Sequence, residues 1–141
     1  MESQDWKTDT WEWARGKLVI SQPVLGTVLF TYDGHMIADV MPFIVSTFDQ
    51  VLAQGVRADM FVNLERMTGY DSDYRRAVSQ WGASVQSRCG EHHFFVRSRL
   101  LALGIAVSNL AAGGKLQVTT KRPEFEAAIA RSIARHSGAG G

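Results

Sequence analysis

The sequence predicts an α/β fold, a single-layer and mostly parallel sheet of five strands flanked by about four helices, in the order β-β-α-β-α-β-α-β-α. Two observations support it. Short runs of β-branched and aromatic residues, typical of strands, are bounded by Gly, Pro or Asp. Between them lie segments whose apolar residues recur at helical spacing. Such alternation gives parallel strands with right-handed crossovers, and the opening β-β step adds an antiparallel neighbour at one edge.

The first part of the chain predicts two strands and a helix. Residues 10–31 are rich in apolar and aromatic side chains interrupted by turn-forming Gly and Pro, and the second strand is expected at 27–32. Asp33-Gly34 is expected to end it. Residues 39–54 have the spacing of a helix with one apolar face, and Asp39 is the expected N-cap.

The remaining elements continue the alternation. They are a buried strand at 60–64, a helix at about 72–88, a strand at 92–96, a helix at 98–113, a strand at 116–119 and a final helix at 123–133. We expect three parts in the chain: an N-terminal segment with a candidate edge strand at 1–16, the α/β domain at 17–136, and a flexible tail at 137–141.

Composition excludes several classes of function. The chain has 15 Lys and Arg against 14 Asp and Glu, and the basic residues are scattered, which is a poor footprint for nucleic acid. Cys89 is the one cysteine, so no internal disulfide forms and a reducing compartment is expected. The N-terminus lacks the order of a secretory signal, and no apolar run reaches the ~20 residues of a membrane span. We therefore expect a cytoplasmic protein without a membrane span.

A local motif gives the sequence a resemblance to a known family. Residues 61–65 read Phe-Val-Asn-Leu-Glu, and Asp71-Ser72-Asp73 follow at the start of a predicted helix. The STAS (SpoIIAA-like) family has a strand ending Asp-Leu-Ser and then Asp-Ser-Ser-Gly at the mouth of the next helix. Asn63 stands at the strand-end Asp, and Asp71 and Ser72 at the first two positions of the second motif. With the same element order, the chain resembles this family over about residues 18–133.

The resemblance implies a non-catalytic regulatory module of bacterial-type signalling that binds another protein, such as a kinase, an anti-sigma-like protein or another signalling partner. Where the family's phosphorylated residue is the second Ser of the motif, this chain has Asp73, and Tyr74 replaces the following Gly. Three interpretations stay open: Asp73 imitates a permanently charged state, Ser72 is phosphorylated instead, or there is no phosphorylation switch.

Residues 71–75 form the candidate partner-binding site. Open α/β sheets favour ligands where a strand's carboxyl end meets a helix N-terminus, and the N–H groups there suit an anion. Asp or Ser at this position can also simply cap the helix, which stabilises it by ~1 kcal/mol. We predict Asp71, Ser72, Asp73, Tyr74 and Arg75 as partner contacts, with Ser72 as the candidate phosphorylation site.

The predicted helix at 98–113 is apolar on nearly all sides and must bury more than one of them. It either packs on the sheet and neighbouring helices, forms a homodimer or partner interface, or lines an apolar ligand pocket. The candidate residues for the last two roles are Leu100, Leu103, Val107 and Leu110. A carrier of a small apolar ligand or lipid, and a homo-oligomeric structural subunit, are therefore the alternative functions.

Signatures of catalysis and of cofactor binding are missing from the sequence. It has no nucleophile elbow, no phosphate-binding Gly-rich loop and no metal-ligand spacing. His92 and His93 are consecutive in a predicted strand, so they point to opposite faces and cannot share one ion. His35 is interpreted as a surface or packing residue. We predict no catalytic residue, no metal and no cofactor.

Overall fold

Six strands form one sheet in the computed structural model, which describes residues 6–99 and 116–138. In spatial as in chain order they are β1 (Lys7–Trp13), β2 (Gly16–Val24), β3 (Thr27–Met36), β4 (Ala58–Tyr70), β5 (Cys89–Phe95) and β6 (Leu116–Thr119). The first three strands pair antiparallel, and β3 to β6 pair parallel. The predicted α/β class and mostly parallel sheet are confirmed, with one strand more than expected.

Three helices lie in the described part of the chain. They are α1 (Met41–Leu52), α2 (Ser72–Val85) and α3 (Arg122–His136), and short 3-10 turns occupy Ala38–Val40 and Gln86–Arg88. Within the described ranges, no helix is long and apolar enough to cross a membrane. The helix predicted at 98–113 lies almost entirely outside the described residues.

Strand β1 is the additional strand, and it lies within residues 1–16, where the sequence predicted a candidate edge strand. It pairs antiparallel with β2 along all seven of its residues, as the Trp11–Leu18 pair illustrates. Its Trp11 ring packs against Phe43 of α1, with ring centroids 5.4 Å apart. β1 is one edge of the sheet. The division into parts at residues 1–16, 17–136 and 137–141 stays a prediction.

The predicted end of β3 and the predicted start of α1 are wrong. β3 does not end at Asp33-Gly34 but continues to Met36. Gly34 permits this because its φ is +87° and because a Cβ there would overlap the carbonyl oxygen of Arg15. Helix α1 begins at Met41 with Val40 at its N-cap position, while Asp39, the expected cap, lies within the preceding 3-10 turn.

Helices cover both faces of the sheet. α1 and α2 pack on one face, where their apolar side chains meet Ile20, Phe30 and Val62 in the main core. α3 packs on the other face, and its Phe125 lies against Phe61 and Phe95, with ring centroids 6.1 and 5.4 Å away. The strand predicted at 60–64 is therefore covered on both sides, as its apolar sequence indicates.

A buried carboxylate joins the end of α3 to the beginning of β4. The Asp59 side chain is 4% exposed, and its Oδ1 accepts the Glu91 N–H at 2.8 Å. Its Oδ2 accepts bonds from the Ser132 hydroxyl at 2.7 Å, from His136 Nε2 at 3.1 Å and from the Arg135 guanidinium. Because an unpaired buried carboxylate is costly, these donors make Asp59 an anchor for α3.

Replacing Asp59 with Asn should lower the free energy of unfolding by roughly 2–4 kcal/mol, because the buried donors lose a charged acceptor. Urea denaturation at pH 7 measures the change. Asp49→Asn is the matched control, since Asp49 is exposed on α1; it should change the free energy by less than about 0.5 kcal/mol. Equal effects of the two substitutions would contradict the role assigned to Asp59.

The contribution of Asp59 should also depend on pH. Burial raises the pKa of this carboxyl, but the Glu91 N–H, the Ser132 hydroxyl and Arg135 together bring that pKa below its usual value. A carboxyl with a lowered pKa in the folded state stabilises fully above the unfolded pKa of ~3.9 and loses that effect as pH falls through the folded pKa. The stability difference between the native chain and Asp59→Asn should thus be constant between about pH 7 and 5 and narrow below about pH 4. A difference that grows on acidification would contradict this sign.

Candidate partner-binding site at the start of helix α2

Helix α2 begins immediately after β4, and its first turn is tied to the end of β3. Asp71 holds the N-cap position with an extended backbone, φ −78° and ψ 152°. Its N–H donates to the Met36 carbonyl at 3.0 Å, and its carbonyl accepts the Arg75 N–H at 3.1 Å. The start of α2 therefore has a defined position relative to the sheet.

The Asp71 carboxylate does not cap the helix. No side-chain capping bond is made to α2, and Asp71 Oδ1 instead lies 2.7 Å from His35 Nε2. Asp71 occupies the N-cap position, as predicted, but its side chain makes no capping hydrogen bond. The interpretation that the side chain serves only to cap the helix is therefore wrong. The carboxylate remains 47% exposed, whereas the His35 side chain is 17% exposed.

His35 is itself held in place by the β1–β2 hairpin. Its carbonyl accepts the Trp13 indole N–H at 2.7 Å, and its N–H donates to the Arg15 carbonyl at 3.0 Å. His35 is therefore a fixed hydrogen-bonding partner and more than the surface or packing residue that the sequence indicated. It is 36 positions from Asp71, and no local motif links the two.

The predicted contact residues divide into exposed and buried ones. Asp71, Ser72, Asp73 and Arg75 are exposed. Tyr74 is only 5% exposed and packs edge-on against Tyr32, with ring centroids 6.4 Å apart. Its prediction as a surface contact is corrected, because at helical spacing it turns into the core beside Val78. We name the four exposed residues the α2 entrance.

The tyrosine pair is a neutral part of the core. Burial raises the pKa of Tyr32 to about 12. Burial, together with the neighbouring Tyr32, also raises the pKa of Tyr74 well above its ordinary value. Both hydroxyls therefore stay protonated at physiological pH, and Tyr74 anchors the first turn of α2 on the sheet.

Asn63 lies apart from the α2 entrance. The sequence indicated a strand that ends near residue 64, but β4 continues to Tyr70 with a register shift against β3 beyond Asn63. The Asn63 side chain accepts the Glu65 N–H at 3.0 Å. Asn63 and Asp71 are separated by eight positions of extended chain, which correspond to roughly 25 Å, so this part of the motif lies far from the site.

The α2 entrance has mixed charge. The Asp71 and Asp73 carboxylates and the Arg75 guanidinium are all exposed at the start of α2, and Arg75 makes no ion pair within the described residues. Such a pattern suits a protein surface of complementary charges better than a polyanion, which needs several converging cations.

The other candidate residues give no second site of this kind. Leu100, Leu103, Val107 and Leu110 lie outside the described residues, so the apolar interface or ligand pocket stays a prediction. Cys89 is buried, and burial raises the pKa of its thiol to about 11, which keeps it in the unreactive thiol form. In residues 6–99 and 116–138, no group of three His, Cys, Asp or Glu side chains could hold a metal ion.

Comparison with solved structures identifies the architecture. An uncharacterized Shewanella loihica PV-4 protein of the DUF3478 family, which has a SpoIIAA-like fold, matches 92% of this chain over 98% of its own, with a TM-score of 0.64 and 9% identity. The chain has a SpoIIAA-like fold. No protein-family model and no curated protein matches the sequence, so the likeness is one of structure.

Two structures of SpoIIAA itself share this SpoIIAA-like fold. The unphosphorylated anti-sigma factor antagonist SpoIIAA covers 89% of the chain over 98% of its own, with a TM-score of 0.55 and 14% identity. The phosphorylated Bacillus cell fate determinant SpoIIAA covers 81% over 97%, with a TM-score of 0.56 and 19% identity. The resemblance drawn from the Asp71-Ser72 motif and the element order is confirmed at the level of the fold.

The His35–Asp71 contact can be tested within this fold by a double-mutant cycle of His35→Ala and Asp71→Ala. The interaction free energy should be about 0.5–1 kcal/mol, as for a partly exposed pair with good geometry. Thermal or urea unfolding of the four proteins measures it. The cycle of His35→Ala with Asp73→Ala is the control and should give close to zero. Equal interaction energies in the two cycles would rule out a specific contact.

Proposed function

We propose that this chain is a non-catalytic regulatory module that recognises another protein through the α2 entrance. The single observation that carries the proposal is the hydrogen bond from His35 to Asp71, which keeps an exposed carboxylate at a fixed position instead of letting it cap the helix. The SpoIIAA-like fold supports the proposal, since one protein with this fold is an anti-sigma factor antagonist.

Recognition would rest on surface complementarity and charge. The backbone of the entrance is fixed by the hydrogen bonds that Asp71 makes to Met36 and Arg75, and Tyr74 packs against Tyr32 in the core. A partner would place cations opposite Asp71 and Asp73 and an anion opposite Arg75. Charge pairs of this kind set the orientation of docking and exclude partners of the wrong sign.

Ser72 is the residue of the entrance that we propose as a phosphorylation site. Its side chain is exposed at the first position of α2, between two carboxylates. A phosphate would add about two negative charges there. The helix N-terminus would attract these charges, whereas Asp71 and Asp73 would repel them, so modification would change the charge pattern that the partner meets. SpoIIAA has been solved in phosphorylated and unphosphorylated forms.

Charge reversal at the entrance should weaken partner binding without unfolding the domain. Asp73→Lys and Arg75→Glu should each reduce affinity at least about tenfold, because they place like charges against the partner. The partner would first be trapped in the protein's own cells by a photo-crosslinking residue at Ser72, then purified and titrated by calorimetry.

The matched control is Asp49→Lys, which reverses an exposed charge on α1, away from the entrance. It should leave affinity unchanged, and all three variants should retain the native melting temperature within a few degrees. If the purified partner binds Asp73→Lys and Arg75→Glu as tightly as the native chain, the α2 entrance is not its binding site.

A further inference from the structure

A second exposed feature lies on the other face of the sheet, between the edge strand β6 and helix α3. It is a groove with a volume of about 340 Å³. Six of the residues that line it are His93, Gln117, Thr119, Phe125, Ala127 and Arg131. We name it the β6 groove. Since α2 packs on the opposite face, the β6 groove is separate from the α2 entrance.

One wall of the β6 groove is a sheet edge that can accept another strand. β6 is the last strand of the sheet and pairs with β5 on its inner side. The Thr119 carbonyl points to that side, because it accepts the Val96 N–H at 3.0 Å. Backbone groups of successive strand residues alternate in direction, so the N–H and C=O of Val118 point outward. No strand of the described chain pairs with them.

The other wall leaves room for side chains of an added strand. Glu124, Ala127, Ala128 and Arg131 follow one another at helical spacing on the side of α3 that borders β6. The small side chains of the two alanines leave space in the middle of this wall. Phe125 and His93 form a buried floor, where His93 stacks on Phe61 with ring centroids 5.0 Å apart.

The charged side chain of the β6 groove that has no ionic partner within the described residues is a cation. Arg131 is exposed and forms no ion pair within the described residues, whereas Arg122 binds Glu65 and Arg135 binds Asp59. The carboxylate at the other end of the groove, on Glu124, already accepts the Thr119 hydroxyl at 2.7 Å. A carboxylate on an incoming chain would thus find one cation that no side chain in the described part of the chain neutralises.

We propose that the β6 groove binds an extended acidic segment of a partner protein. The segment adds to the outer edge of β6 through the backbone of Val118, sends alternate side chains over Ala127 and Phe125, and places a carboxylate at Arg131. Affinity would come from the main-chain bonds and specificity from the groove, as in other cases of strand addition. This binding mode does not depend on the function proposed for the α2 entrance.

Selection from a displayed library of short random peptides tests the proposal on the full chain. Peptides enriched on the native protein should share an acidic residue within an extended apolar sequence. A synthetic peptide of the enriched sequence should bind Arg131→Glu at least about tenfold more weakly and Arg131→Lys within about fivefold of the native affinity. Arg76→Glu, an exposed reversal on α2, is the matched control and should bind normally.

Two further measurements decide where and how the peptide binds. Hydrogen exchange of the Val118 amide should slow on binding, while the amides of the α2 entrance should not change. Ala127→Glu, which preserves helix propensity and narrows the groove with a negative charge, should also weaken binding. Circular dichroism melts confirm that the variants are folded.

Several outcomes would overturn the proposal. One is the absence of enriched peptides, or enrichment of peptides without acidic residues. Another is unchanged affinity for Arg131→Glu or protection of amides outside β6. Sedimentation velocity of the native chain tests whether the groove instead binds a second copy of this chain. Concentration-dependent self-association that Arg131→Glu abolishes would show that it does, and would overturn the proposal.

Discussion

Burial of strand β4 on both faces is the constraint from which the described arrangement follows. β4 pairs with β3 on one side and β5 on the other, and its apolar first half points alternately to the two faces. Met60 and Val62 require the cover of α1 and α2, and Phe61 requires that of α3. Full burial of each such side chain stabilises by about 1.5–3 kcal/mol, far more than an exposed ion pair. Helices on both faces are therefore a consequence of this one strand.

The two ends of β4 carry carboxylates whose surroundings give them different roles. Asp59, its second residue, is almost fully buried and accepts bonds from four donors, so it holds α3 against the sheet. Asp71 directly follows the strand, is about half exposed and binds His35. Loss of a buried acceptor destabilises a fold strongly, whereas loss of an exposed pair costs little. Asp59 therefore has a structural role, whereas the Asp71 carboxylate is held in place and still accessible to solvent.

The sequence predicted well the helices and strands whose apolar residues recur at regular spacing. It predicted poorly the strand segments that have few apolar residues. The start of α2 at Ser72 and the strands at 92–96 and 116–119 were predicted within a few residues, because turn residues or caps bound clear apolar patterns. The end of β4 beyond Leu64 was not predicted, and β1 was predicted only as a candidate edge strand within residues 1–16. The side chains of both segments are mostly polar, and both are strands because their backbones pair with neighbouring strands. Pairing of this kind is set by the tertiary structure and leaves little trace in local sequence.

The same distinction explains why the candidate site was predicted only in part. A helix start rich in Asp and Ser is a local signal, and it led to Asp71, Ser72, Asp73 and Arg75. The burial of Tyr74 follows from the helical phase, which places position 74 with Val78 rather than with Asp73. His35 reaches Asp71 only because β3 continues past Gly34 and runs parallel to the end of β4. A contact that needs an extended strand end, a permissive glycine and a parallel register combines three long-range conditions, and only the folded chain brings them together.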